Sequence, residues 1–129
     1  MKRIFLDANI LLEILFDRKL AAECRSLVSS PSNEYAISVI TVHIVWYMAE
    51  KYKLQTQLID DLLSVWVILP VTNQIIQVSR GRYNGKDFED CLQAACAESG
   101  NYDEIITIDK HFQVHSHTEL PVIVLGESA

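Results

Sequence analysis

Three acidic positions stand where chemistry could be done. Asp7 closes the apolar run Ile4-Phe5-Leu6, Asp109 closes Ile105-Ile106-Thr107-Ile108, and Asp90 follows Asp87-Phe88-Glu89 at the head of an alanine-rich stretch, Cys91 to Ala97. Each acid has a structural role open to it alone: an Asp after a strand caps the next helix, and Asp87 is an N-cap candidate for its own. Capping does not explain convergence. Parallel strands would bring Asp7 and Asp109 to one sheet edge, and the loop before the acidic helix would bring Asp90 there too. Like charges that meet raise each other's pKa unless a cation neutralises them. A cluster of Asp7, Asp90 and Asp109 therefore implies a hard divalent ion held by oxygen, Mg2+ or Mn2+.

Basic residues flank these acids. Arg80-Gly81-Arg82-Tyr83-Asn84-Gly85-Lys86 leads directly into Asp87, and Lys110 follows Asp109. Arg80, Arg82, Lys86 and Lys110 are candidates for phosphate contact, with Tyr83 placed to stack on a base; a solvated connection is the plainer alternative. His111, His115 and His117 raise the thought of zinc, but no cysteine or regular ligand spacing accompanies them, and the segment reads as a mobile surface loop.

The elements that must position the acids alternate in type. Lys2 to Asp7, Glu34 to Val39, Val65 to Leu69, Glu104 to Asp109 and Pro121 to Leu125 read as strands, the first nearly continuous in apolar character, as a strand buried on both faces is. Helical spacing covers Asn9 to Leu15, Leu20 to Val28, Thr41 to Tyr52, Gln55 to Ser64 (Leu58, Leu62 and Leu63 inward), Thr72 to Val78 and Asp87 to Glu98. Ser29 to Asn33 is the clearest turn, and Gly100 is the stop signal of the last helix. Alternation of this kind predicts a three-layer α/β/α domain with a mostly parallel sheet of four to five strands. In such a sheet function gathers beyond the carboxyl ends of the strands, where two of these acids lie.

Composition narrows the classes. With 129 residues, 50% hydrophobic and 22% charged, one domain spanning 1–129 is expected, and disordered or fibrous classes are excluded. The longest apolar stretch, Val65 to Val71, is far short of the roughly 20 residues of a membrane span, and Met1 to Asp7 lacks the pattern of a signal peptide. Cys24, Cys91 and Cys96 are widely spaced and odd in number, and read as buried thiols in a reducing compartment, the cytoplasm. A net charge of −6 argues against gripping nucleic acid by bulk positive charge, but leaves room for a local basic patch beside metal-held acids.

Ile4 to Leu12, Asp87-Phe88-Glu89-Asp90 with its alanine-rich helix, and Ile106-Thr107-Ile108-Asp109-Lys110-His111-Phe112 together resemble the PIN-domain family, which includes the VapC-type toxin ribonucleases. The resemblance runs over essentially the whole chain. It implies a three-layer parallel α/β fold and metal-dependent cleavage of single-stranded RNA by carboxylates. By position it makes Asp7, Asp90 and Asp109 the catalytic, metal-binding acids, with Asn9 and Thr107 supporting them. Asp87 is an additional acid, resembling a D-F-E-D branch, with a capping or outer role. One departure stands out. After Ser38-Val39-Ile40-Thr41 the family usually has a glutamate, and here that place falls at or beside His43-Ile44. Glu50 is about 9 Å further along the helix, too far to replace it. His43 is the candidate substitute, as a ligand or a phosphate contact, with a solvated histidine as the plainer reading.

Two function classes follow. One is a Mg2+- or Mn2+-dependent endoribonuclease, the toxin of a toxin–antitoxin pair; the other is a PIN-like module that binds RNA or protein with little cleavage, motivated by the missing glutamate. A phosphatase of the haloacid-dehalogenase type ranks last, because it needs an acid two residues after Asp7 and Asn9 is there. The stretch from Ile44 to Ala49 is apolar nearly all round and must be covered on two sides. Together with Leu54 and Leu58 it is the expected contact surface of a homodimer, which the resemblance also implies, or of an antitoxin.

Overall fold

The computed structural model describes residues 1–126. Its strands are β1 (Arg3–Leu6), β2 (Glu34–Ser38), β3 (Val67–Leu69), β4 (Glu104–Thr107) and β5 (Val122–Val124), all parallel, in the order β3-β2-β1-β4-β5. Between them lie α1 (Ala8–Leu15), α2 (Ala21–Leu27), α3 (Val39–Lys51), α4 (Gln57–Leu63), α5 (Asn73–Arg82), α6 (Phe88–Ser99) and α7 (Phe112–Ser116). Strand side chains alternate between faces, and the core divides accordingly. Ile4, Leu6, Tyr35, Ile37 and Ile106 pack with Ile10, Leu11 and Ile14 of α1, Val45 and Ala49 of α3 and Ile59 of α4. Phe5, Ala36 and Ile105 face the other way, onto Ile75 of α5, the alanines of α6 and Phe112 of α7. This is the expected three-layer α/β/α arrangement with a parallel sheet. The small residues Ala94, Ala95 and Ala97 let α6 lie close against the sheet, where a larger side chain would hold it off.

Several boundaries differ from the sequence expectation, each for a local reason. β4 ends at Thr107 rather than Asp109, because Asn9 Oδ1 accepts from Ile108 N (3.3 Å) and Thr107 Oγ1 accepts from Asp109 N (3.0 Å), drawing the chain off the ladder. Val65 is 74% exposed and precedes the strand; only from Val67 does the chain pair with β2. In α4 the fully buried residue is Ile59, while Leu58, expected inward, is 40% exposed. The histidine-rich segment is not an open loop: Phe112 is completely buried and anchors α7 against the second core. The three cysteines are free and buried, as the sequence predicts. No helix among the described residues is long and apolar enough to cross a membrane.

Candidate functional site

The strand order reverses between β1 and β4, since β2 and β3 extend the sheet to one side and β5 to the other. A crevice opens beyond the strand ends at such a point. Asp7, Ala8, Asn9 and Leu12 of the β1–α1 region, Ile44 of α3, Asp87, Glu89 and Asp90 at the start of α6, and Asp109 after β4 line a hollow of about 230 Å3 there.

Asp7 is buried and fully engaged. Its Oδ1 accepts from Ala8 N (2.8 Å), capping α1, and its Oδ2 accepts from Thr107 Oγ1 (2.8 Å) and Asn9 Nδ2 (3.2 Å). Asn9 Nδ2 also donates to Thr107 Oγ1 (3.2 Å), so one amide and one hydroxyl join the ends of β1 and β4. Asp109 Oδ1 accepts from His111 N (2.9 Å), which turns the chain into α7. Asp87 has a left-handed φ of 49°. Short polar side chains tolerate that conformation by bonding locally, and here Oδ1 accepts from Asp90 N (3.2 Å) at the head of α6.

Electrostatically the hollow resists its own charges. Burial pushes the Asp7 carboxyl up to about 7, with Glu89 and Asp109 adding repulsion and the Thr107 and Ala8 hydrogen bonds opposing it. Burial likewise raises Asp90 to about 9, reinforced by Asp7, Asp87 and Asp109. Glu89 is also raised, through burial and then Asp87. Asp90 is 4% exposed, and its Oδ2 has no hydrogen-bond partner among the described residues; neither has His115 Nδ1, 3.7 Å away. One donor atom from each of Asp87, Asp90, Asp109 and His115 lies within 4.8 Å of the others. Carboxylate oxygens, an orphaned buried acceptor and strong mutual repulsion fit a divalent cation.

Asp7, Asp87, Asp90 and Asp109 are thus brought to one hollow, and Asn9 and Thr107 touch its acids. His43 is not in the lining: it is exposed on α3 and stacks on Tyr47 with ring centroids 6.4 Å apart. Ile44 occupies that wall instead. Lys86 and Lys110 are exposed and adjoin Asp87 and Asp109, and Arg80 is exposed on α5. Arg82 is committed elsewhere, to Glu98 through bonds of 3.0 and 2.6 Å, beside a separate hollow that includes His117, Glu119 and Leu120. Two residues of the site escaped sequence reasoning. Glu89 stood inside the D-F-E-D segment with no role assigned. His115 enters the sequence reading only with His111 and His117, as a zinc candidate set aside as part of a mobile loop, because only the docking of α7 brings it to Asp87 and Asp90.

The profile of the family described as PIN domain matches residues 4–117. A chain in a toxin-antitoxin complex from Klebsiella pneumoniae is 26% identical, with a TM-score of 0.73 over 97% of this chain and 99% of that one. VapBC2 from Rickettsia felis, bound to a DNA fragment from its promoter, matches at 19% identity and TM-score 0.66, covering 93% and 98% of the two chains. Mycobacterium tuberculosis VapC20, a Sarcin-Ricin loop cleaving toxin, matches at 13% and 0.70, covering 86% and 93%. The last two likenesses show the fold alone. No curated protein matches the chain.

Proposed function

This chain belongs to the PIN-domain family, and on that premise we propose that it is a divalent-metal-dependent ribonuclease cleaving single-stranded RNA, the toxin of a toxin–antitoxin pair. The observation that carries the reading is the convergence of Asp7, Asp90 and Asp109 on one hollow, with the buried Asp90 Oδ2 lacking a partner. These three acids would hold Mg2+ or Mn2+. The chemistry supplied by a bound ion is activation of a water and neutralisation of charge on the scissile phosphate. Asn9 and Thr107 orient the Asp7 carboxylate towards that task. Lys86 and Lys110, exposed next to the acids, contact flanking phosphates, as Arg80 does further along the strand. Arg82, held by Glu98, contributes only after exchanging that partner. Tyr83, 47% exposed and supported edge-on by Phe88, is the surface on which a base stacks.

Glu89 favours cleavage over mere binding. At or beside the family's glutamate position the wall of the hollow is apolar Ile44, but Glu89 supplies a carboxylate to the same hollow from α6. The first solved structure above is a toxin–antitoxin complex, which supports a protein partner for this chain too. We place the protein in the cytoplasm, where its buried thiols stay reduced. Cleavage of single-stranded RNA with Mg2+ or Mn2+ tests the reading. Asp7→Asn should lower the rate roughly a hundredfold or more and Glu89→Gln at least about tenfold, as loss of aligned charge in an active site does. A native chain that binds RNA but cuts none with either ion would leave the binding module.

A further inference from the structure

We infer that His115 is an imidazole ligand completing a site with Asp87, Asp90 and Asp109, and that this mixed nitrogen–oxygen set selects Mn2+ over Mg2+. The inference rests on the metal-dependent reading above and goes beyond it, adding two ligands and choosing the ion.

The geometry argues against an ordinary ion pair. His115 Nδ1 is 3.7 Å from Asp90 Oδ2 and 3.9 Å from Asp87 Oδ2, beyond the roughly 3.2 Å limit of an N–H···O bond. Both Nδ1 and Asp90 Oδ2 are nonetheless buried atoms without a hydrogen-bond partner among the described residues, and the Asp90 side chain is only 6% exposed. Two buried polar atoms that face each other too far apart to bond leave room for something between them. Donors at about 2.1 Å from one octahedral ion stand about 3.0 Å apart when adjacent and about 4.2 Å when opposite. The observed 3.7 Å lies inside that interval, and all four donors lie within 4.8 Å of one another. Small shifts would close them on one ion.

The imidazole is held in place before any ion arrives. His115 N donates to His111 O (3.0 Å), its carbonyl accepts from Cys91 Sγ (3.3 Å), and Phe112 pins α7 to the core. Asp7 lies outside the four-donor set, its oxygens already receiving three hydrogen bonds. It lines the same hollow from the end of β1 and would add its carboxylate to the ligands there, as the function proposed above requires. Mg2+ demands hard oxygen donors, whereas affinity for imidazole rises along the transition series from Mn2+. Selection follows from one nitrogen.

The test uses the untagged full chain, stripped of metal, with Mn2+ and Mg2+ as probes. Electron spin-echo modulation of bound Mn2+ should show a directly coupled nitrogen, absent in His115→Ala and His115→Gln. Calorimetric titration should show Mn2+ bound more tightly than Mg2+, with His115→Ala weakening Mn2+ about tenfold or more and Mg2+ less than about threefold. Circular dichroism confirms that each variant is folded, and the spectrum of the native chain needs no variant at all. A nitrogen-free Mn2+ spectrum, or one that keeps its nitrogen in folded His115→Ala, overturns the role of His115 and leaves the nuclease reading standing. If neither Mn2+ nor Mg2+ binds the native chain, both readings fall.

Discussion

Asp7 and Asp90 are acids that the folded chain would rather keep protonated, and this has a measurable sign. Their pKa values of about 7 and about 9 lie above the usual carboxylate range. The native state therefore binds protons more tightly than the unfolded chain, and stability must fall as pH rises between about 4 and about 9. Below that window both states are protonated and nothing is lost; above it the loss is complete. The contribution of Asp7 is on the order of a few kcal/mol, at about 1.4 kcal/mol per pH unit. In chelator, thermal unfolding of the native chain should show this decline, and Asp7→Asn should remove its part between about pH 4 and 7. Saturating divalent ion should flatten the profile, since it binds only the native, ionised cluster. A melting temperature in chelator that is unchanged by Asp7→Asn across that window would show that the strain is not there.

At the scale of elements, the site depends on how α6 is fastened to its neighbours. Gln93 is completely buried, four residues after Glu89 on the same helix. Its Oε1 accepts from Ser38 Oγ (2.7 Å) and its Nε2 donates to Thr41 Oγ1 (2.9 Å), while Ser38 also caps α3 by accepting from Thr41 N (3.3 Å). One amide thus locks α6 to the junction of β2 and α3. Gln93→Met keeps the volume but strands two buried hydroxyls, and should cost about 2–4 kcal/mol in denaturant unfolding. It should also weaken divalent-ion binding, because the head of α6 carries Glu89 and Asp90. A destabilised variant with native ion affinity would separate the fastening of α6 from the site. Nothing in the sequence signals this lock, although Ser38-Val39-Ile40-Thr41 is the segment after which the family usually has a glutamate. A lone Gln in a helix gives no sign of which face it turns inward or what it will meet.

For the whole molecule, the apolar surface of α3 and the segment after it asks for a partner. Tyr47 and Tyr52 are 55% and 53% exposed and Leu58 40%, while Trp46 and Leu54 are partly buried against the first core. A second copy of this chain is the partner we expect, burying on the order of 1,600 Å2 in a twofold interface. Sedimentation at micromolar concentration should give twice the 14.7 kDa of one chain, and Tyr47→Asp should shift it to monomer without loss of helicity. A native chain that sediments as a monomer would free this surface for an antitoxin instead.

The sequence by itself determined the layers, the parallel sheet and the identity of the acids at its edge. Those features are local: a strand shows itself in a short apolar run, and Asp7 and Asp109 are tied to the ends of β1 and β4 by one or two peptide units. Helix faces were less legible. A shift of one residue in α4 exchanged Leu58 for Ile59 as the buried side chain, because both are apolar and only packing chooses between them. The tertiary structure alone decided the rest of the site. It drew Arg82 away to Glu98, left His43 outside the lining, turned Glu89 into the hollow and set His115 3.7 Å from Asp90. His115 and Asp90 are 25 positions apart and share no periodicity. Only the complete burial of Phe112 and the turn built on Asp109 bring them face to face, and contacts made by docking one element on another leave no local pattern in the chain.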